Sequence, residues 1–107
     1  MIFPFEIFSN AFMQDADEPL QRLAHSLLVP QPMQYFTETV APISPAKLGV
    51  PATYVITSAD PALPPGEWGW TPRFPQRLGD VPVIEAPGSH EANLTRPAEL
   101  ANALLKA

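Results

Sequence analysis

A histidine and an aspartate are the side chains in this 107-residue sequence best suited to chemistry. His90 follows a Pro-Gly-Ser turn sequence, and Asp60 lies in the sequence TSADP. An imidazole accepts a proton near neutral pH, and a neighbouring carboxylate fixes its tautomer and stabilises its protonated form. Together, the two side chains would supply the proton-transfer part of a hydrolytic reaction.

A nucleophile for this pair is harder to find. Thr57, Ser58 and Ser89 lie close by in the sequence, but none stands in a G-x-S-x-G motif, which holds a nucleophilic serine on a sharp turn. The motif does not occur in the chain. We therefore expect His90 to activate a water molecule rather than a serine. The alternative is a hydrogen-bonded pair with no catalytic role, in a chain that folds and self-associates only.

Metal binding is a third hypothesis. Imidazole and carboxylate groups suit zinc, and a three-ligand site with an open position produces hydroxide near neutral pH. The candidate ligands are His90, His25 and Glu91, with Asp60 beside them. The two histidines lie on separate predicted elements and form no H-E-x-x-H motif, so this site requires a dimer that joins His25 of one chain to His90 of the other. The sequence itself requires no cofactor.

Two short apolar segments predict the strands that would position Asp60 and His90. Residues 52–57 and 81–85 are rich in β-branched side chains, as is typical of strands buried in a parallel sheet. The loop after the first carries Asp60, and the loop after the second carries His90. Since ligand groups gather at the carboxyl ends of parallel strands, we expect the two loops to lie side by side.

Helices are predicted between and after these strands, which indicates an α/β fold with a short parallel sheet. Prolines interrupt 67–79, where we expect a broken or short helix containing Trp68, Trp70 and Phe74. These aromatic residues are expected in the core or an interface, and the alternative is that they line an apolar substrate pocket. Residues 96–106 have helical spacing, and Thr95 is the predicted cap.

The first part of the chain is predicted to be mostly helical. Alternation of Phe3, Phe5 and Ile7 favours a short strand, whereas 17–29 has the apolar spacing of an amphipathic helix with an aspartate cap. A second short helix is predicted over 33–38. His25, on the first of these helices, is expected to be partly exposed.

From Leu48 onward the sequence resembles the C-terminal end of an α/β-hydrolase, in the esterase and hydroxynitrile-lyase-like branch. The resemblance rests on YVITSADPALP, a strand followed by an aspartate loop, and on IEAPGSHEANLTRPAELANALL, a strand followed by a histidine loop and a closing helix. The earlier LLVPQPMQYFTETV resembles the end of the helical lid. The implied division is 1–47 as a lid remnant and 48–107 as a βαβα segment.

The resemblance implies that Asp60 is the acid and His90 the base of a catalytic triad acting on a small ester-type substrate. The chain has the order acid then histidine, as in the family, without the nucleophile motif. A fragment of this kind leaves strand edges unpaired, so we expect it to be completed by self-association into a homodimer or higher oligomer.

Composition narrows the possible partners and location. The net charge is −5 with no basic cluster, which argues against nucleic acid or an anionic membrane surface as a partner. The chain has no cysteine, which fits a reducing cytoplasm. We therefore predict a cytoplasmic protein without disulfides or thiolate metal sites.

Overall fold

The computed structural model describes residues 1–107 and contains a two-stranded parallel sheet. Strand β1 is Tyr54–Thr57 and strand β2 is Val83–Ala86. Tyr54 lies opposite Val83, and the register continues to Thr57 opposite Ala86. Both strands fall inside or next to the predicted segments, and the predicted α/β class is confirmed.

The chain also contains six helices and a single 3-10 turn over Pro45–Leu48. They are α1 Phe5–Phe12, α2 Glu18–Ser26, α3 Gln34–Thr37, α4 Arg73–Arg77, α5 Ala92–Thr95 and α6 Pro97–Leu104. None of these helices is long and apolar enough to cross a bilayer.

Helix α2 begins where the sequence predicts it. The Asp17 carboxylate accepts a hydrogen bond of 3.1 Å from the backbone N–H of Leu20, which satisfies one of the free donors at the helix start. Glu18 and Arg22, one helical turn apart, form an ion pair on the exposed side. The helix ends at Ser26, three residues before the predicted end.

The predicted N-terminal strand is wrong, because these residues form helix α1. Phe5, Phe8 and Phe12 are spaced three and four residues apart, which places their rings on one side of a helix. The rings of Phe8 and Phe12 stack with centroids 6.0 Å apart. This spacing outweighs the short alternation of Phe3, Phe5 and Ile7.

The predicted cap of the last helix is also wrong. Thr95 ends the short helix α5, and Arg96 precedes α6 without capping it through its side chain. The Thr95 hydroxyl instead donates a hydrogen bond of 3.0 Å to the Asp15 carboxylate. The Thr95 side chain therefore binds Asp15 instead of capping α6. The predicted short helix within 67–79 is present as α4.

The small buried core lies where α1 meets the end of β2 and the loop that follows it. Its most buried members there are Phe8, Met13, Ala86, Ser89 and Ala92. Ser89, next to His90, is fully buried. The histidine loop is therefore part of the core rather than a loose surface connection.

Candidate active site

The loops that carry Asp60 and His90 remain paired beyond the ends of the two strands. The backbone N–H of Ser58 donates to the Ala86 carbonyl at 2.8 Å, and that of Ala59 donates to the Gly88 carbonyl at 3.0 Å. This extension carries the strand register into both loops. It brings together the two residues that the sequence predicts as a pair.

Asp60 and His90 are in direct contact. The imidazole Nδ1 lies 2.9 Å from the Asp60 Oδ2, and the other carboxylate oxygen accepts a hydrogen bond of 2.9 Å from the Ala62 N–H. The Asp60 side chain is only 8% exposed, whereas the His90 side chain is 31% exposed. The carboxylate is thus fixed and sheltered, and the imidazole reaches the surface.

The second ring nitrogen of His90, Nε2, makes no hydrogen bond within the chain. When Nδ1 carries the proton and donates it to the buried carboxylate, the Nε2 lone pair is left to accept a proton. This arrangement is the one that a general base requires.

The negative charge of Asp60 affects the pKa of a nearby tyrosine. Burial raises the pKa of the Tyr54 hydroxyl above its ordinary 10.0, and the negative charge of Asp60 raises it further. Tyr54 therefore stays neutral over the physiological range and adds no second negative charge beside the pair.

Aromatic rings flank the imidazole. The Trp70 ring lies 5.4 Å from the His90 ring, tilted by 32°, and the Phe12 ring meets it edge-on at 4.9 Å. A cleft of about 240 Å³ adjoins the pair, and its lining includes Tyr54, Ile56, Trp70 and Leu100. The pair thus adjoins an apolar space in which a small apolar group could lie.

A glycine shapes the loop before His90. Gly88 has φ of +120°, which side-chain-bearing residues rarely adopt, and a Cβ there would lie 3.0 Å from the Arg96 Cγ and 3.1 Å from the Ala92 Cβ. Both the backbone conformation and the close packing of α5 require glycine at this position.

None of the nearby hydroxyl groups is positioned as a nucleophile for His90. Ser89 is fully buried and offers no access to a substrate. Thr57 lines the cleft beside the pair, and Thr57 and Ser58 both line a neighbouring cleft with Pro61 and Gly66. None of the three is hydrogen-bonded to His90.

The proposed metal ligands are not grouped within one chain. The structure contains no cluster of three or more His, Cys, Asp or Glu side chains that could hold a metal ion. The His25 Nε2 lies 2.9 Å from the Phe3 carbonyl oxygen, and its ring packs against Phe5 and Phe8. The zinc hypothesis with His90, His25 and Glu91 requires two chains and stays a prediction.

Sequence reasoning missed the connection between α1 and α2. Phe12, Gln14 and Asp15 contact the loops that hold the candidate pair. The acidic run that includes Asp15 has the form of an ordinary helix start, so the sequence carried no signal of this role. Burial alone would raise the pKa of the Asp15 carboxyl, but hydrogen bonds from Ser89 and Thr95 outweigh it and hold the pKa below its ordinary 3.8.

Comparisons with known proteins extend this picture. No family model matches the chain, and no curated protein matches it in sequence. Among solved structures, it is similar to an extracellular α/β-hydrolase from a Paenibacillus species, a protein that shares structural and functional homology with tobacco Salicylic Acid Binding Protein 2. The TM-score is 0.77 at 22% identity, and the match covers 100% of this chain and 45% of that protein.

The chain therefore has the fold of part of an α/β-hydrolase and spans less than half the length of the protein it matches. This confirms the fold that the two strand-and-loop motifs predict. The division into 1–47 and 48–107 stays a prediction, as does the cytoplasmic location, since the matching protein is extracellular.

Proposed function

We propose that this chain carries the proton-transfer centre of a hydrolase that acts on ester-type bonds, in the esterase and hydroxynitrile-lyase-like branch of the α/β-hydrolases. His90 is the general base and Asp60 the carboxylate that orients it. The observation that carries the proposal is the 2.9 Å contact between His90 Nδ1 and Asp60 Oδ2, in loops that follow neighbouring parallel strands.

The reaction uses water as the nucleophile, because no serine of this chain stands in a G-x-S-x-G motif. His90 Nε2 takes one proton from the water while the water oxygen attacks the ester carbonyl carbon. The resulting imidazolium, stabilised by Asp60, returns the proton to the alkoxide oxygen as the carbon–oxygen bond breaks. The products are a carboxylic acid and an alcohol, and the pair returns to its starting state.

The exposures of the two side chains suit these roles. The imidazole is accessible enough to meet a water molecule and an ester, and the nearly buried carboxylate keeps its hydrogen bond to Nδ1. The apolar cleft beside them fits the acyl or alcohol group of a small ester.

Hydrolysis of p-nitrophenyl acetate by His90→Gln tests the base role. We expect the rate above background to fall at least about tenfold, since a positioned general base contributes about 10²–10⁴-fold. His25→Gln is the matched control, because it removes the other histidine of the chain and leaves the pair intact. Equal rates for wild type and His90→Gln would contradict the proposal and favour a chain that only folds and self-associates.

Asp60→Asn tests the orienting role. An amide can either donate a hydrogen bond to Nδ1 or accept one from it, so it does not fix the proton on Nδ1 as a carboxylate does. We therefore expect a lower rate of hydrolysis with little change in substrate binding. The double variant His90→Gln/Asp60→Asn should be no slower than His90→Gln alone, because the two residues act as a unit. Additive losses would show that Asp60 acts independently of His90.

The zinc alternative predicts a different result in the same assay. A dimeric metal hydrolase of activated esters or phosphoesters would lose activity in EDTA and regain it with zinc. We expect the rate to be unaffected by EDTA, since the His25 Nε2 that a dimeric site would need already contacts the Phe3 carbonyl oxygen.

A further inference from the structure

We infer that Asp15 is a positioning residue for His90, and that residues 12–15 act as a clamp on both loops of the candidate pair. The inference rests on the proposed function for its catalytic meaning, whereas the clamp itself is a structural claim with its own test. Residues 12–15 comprise the last residue of α1 and the first part of its connection to α2, far in sequence from both Asp60 and His90.

The clamp holds the backbone on both sides of His90. The Asp15 Oδ2 accepts a hydrogen bond of 3.2 Å from the Ser89 N–H, and the Phe12 carbonyl accepts one of 3.1 Å from the Glu91 N–H. Residues 12–15 thus bind the backbone N–H groups of the residues immediately before and after His90. Its ring also meets the edge of the Phe12 ring.

The same segment reaches the loop of the acid. The side-chain amide of Gln14 donates to the Ala59 carbonyl, one residue before Asp60. The Ala59 N–H in turn donates to the Gly88 carbonyl in the histidine loop. Residues 12–15 therefore fix the position of each loop, and the loops also bind each other.

Charge strengthens the Asp15 contacts. Its Oδ2 also accepts from the Thr95 hydroxyl at 3.0 Å and lies 3.8 Å from the Arg96 Nε, with the side chain only 17% exposed. Hydrogen bonds to an ionised carboxylate are stronger than those between neutral groups. Asp15 thereby ties the histidine loop to the start of α6 and to α1 at once.

Positioning matters because proton transfer depends on small distances. A displacement of about 1 Å at a catalytic group can cost about 100-fold in rate. Loss of the Asp15 carboxylate frees the backbone at Ser89, and the Nδ1 contact with Asp60 then depends on the remaining loop contacts alone.

Nuclear magnetic resonance of the full chain provides the test. The variants are Asp15→Ala, and Asp17→Ala as the matched control. Asp17 lies two residues away and caps α2 without contacting either loop. The readouts are the ring nitrogen shifts of His90 and hydrogen exchange at the Ser89 and Glu91 amides, with the His25 ring as an internal reference.

We expect Asp15→Ala to shift the His90 ring signals and speed exchange at Ser89 and Glu91 at least about tenfold, with His25 unchanged. Asp17→Ala should leave all of these signals as in wild type. Asp15→Asn retains an acceptor oxygen and should restore them in part. Unchanged His90 signals and amide exchange in Asp15→Ala would overturn the inference.

Thr95→Val is the milder variant, which decides the matter should Asp15→Ala fail to fold. It removes one donor to Asp15 and keeps the side-chain shape, so we expect a smaller His90 shift in the same direction, and no shift would overturn the inference. Hydrolysis is measured on the same samples. Absence of His90-dependent hydrolysis in wild type would refute the proposed function, while the spectra would still decide whether Asp15 positions His90.

Discussion

At the scale of single residues, the two ring nitrogens of His90 have different surroundings. Nδ1 contacts a carboxylate that is nearly buried and held by a second hydrogen bond from Ala62, whereas Nε2 is free of protein partners. Because a buried carboxylate without partners is costly, the contact stabilises both side chains. When Nδ1 carries the ring proton, the same contact leaves Nε2 with the free lone pair that a base requires.

Gly88→Ala tests whether the histidine loop needs its left-handed backbone. The new Cβ would be strained at φ of +120° and would press on Ala92 and Arg96. We expect the free energy of unfolding to fall by about 1–3 kcal/mol, with loss of hydrolysis beyond what unfolding explains. Gly66→Ala, at φ of +95° with nothing within 4 Å of the new Cβ, is the control for the backbone effect, and the difference between the two variants measures the packing effect. Equal effects of the two variants would contradict this explanation.

The stability of the chain should depend on the protonation of Asp15. The pKa of this carboxyl is lower in the folded chain than its ordinary 3.8, so its ionised form favours the folded state. This stabilisation is present above pH 3.8 and is lost as the pH falls through the folded-state pKa below that value. In urea unfolding, the stability difference between wild type and Asp15→Asn should shrink below about pH 4. A difference that stays constant down to about pH 2.5 would contradict the prediction.

At the scale of elements, α1 supports the candidate site from outside the sheet. Its aromatic face contacts the ring of His25 through Phe5 and Phe8, and the ring of His90 through Phe12. The two histidines of the chain are thus joined by ring contacts through Phe8 and Phe12. This places α1 between α2 and the histidine loop.

Phe8→Ala tests how much this aromatic face contributes to stability. Phe8 is 4% exposed, and truncation of a buried phenylalanine costs about 3–5 kcal/mol. The neighbouring Ile7 is 51% exposed on the opposite side of the same helix, and Ile7→Ala should cost about 0.5 kcal/mol or less. Chemical denaturation of both variants measures the difference. Similar losses would show that α1 does not pack as described.

Some elements could be predicted from the sequence, and others could not. The β-branched residues of β1 and the proline-bounded segment of β2 gave strands at the right places, and strand order then brought Asp60 to His90. Helix α1 carried a local signal in the spacing of Phe5, Phe8 and Phe12, but the alternation of Phe3, Phe5 and Ile7 concealed it. The role inferred for Asp15 could not be predicted, because it depends on contacts with residues far along the chain. Local patterns show what an element is, but they do not show what it packs against.

At the scale of the whole molecule, the chain exposes more surface than a compact protein of its mass. Its accessible surface is 7578 Å², against about 5,900 Å² expected for 11.7 kDa. The radius of gyration is 15.3 Å, against about 13 Å expected for this length. The excess of about 1,700 Å² is about twice the roughly 800 Å² that each partner buries in a standard interface, and it falls within the range for obligate homodimers.

Much of the exposed apolar surface lies on and after α2. The side chains of Leu27, Val29 and Tyr35 are 72%, 79% and 74% exposed. Strand β1 also has a free edge. Its backbone N–H and C=O groups point to both sides of the strand, and β2 binds those on one side only. We propose that a second copy of the chain covers this surface, as the sequence analysis expects.

Light scattering after size-exclusion chromatography tests self-association. We expect a mass of at least twice 11.7 kDa at micromolar concentration. Leu27→Glu should lower this mass, whereas Leu105→Glu, which is even more exposed but lies outside the region after α2, should not. A well-folded wild-type monomer would contradict the proposal.

The tautomer of His90 is the measurement that tests the central claim most directly. Proton–nitrogen correlation spectra of the neutral ring should show its proton on Nδ1 in wild type, with Nε2 as the acceptor nitrogen. In Asp60→Asn this preference should be lost, while the His25 ring stays unchanged. A proton on Nε2 in wild type, unaffected by Asp60→Asn, would show that the two side chains do not form the acid–base pair proposed for them.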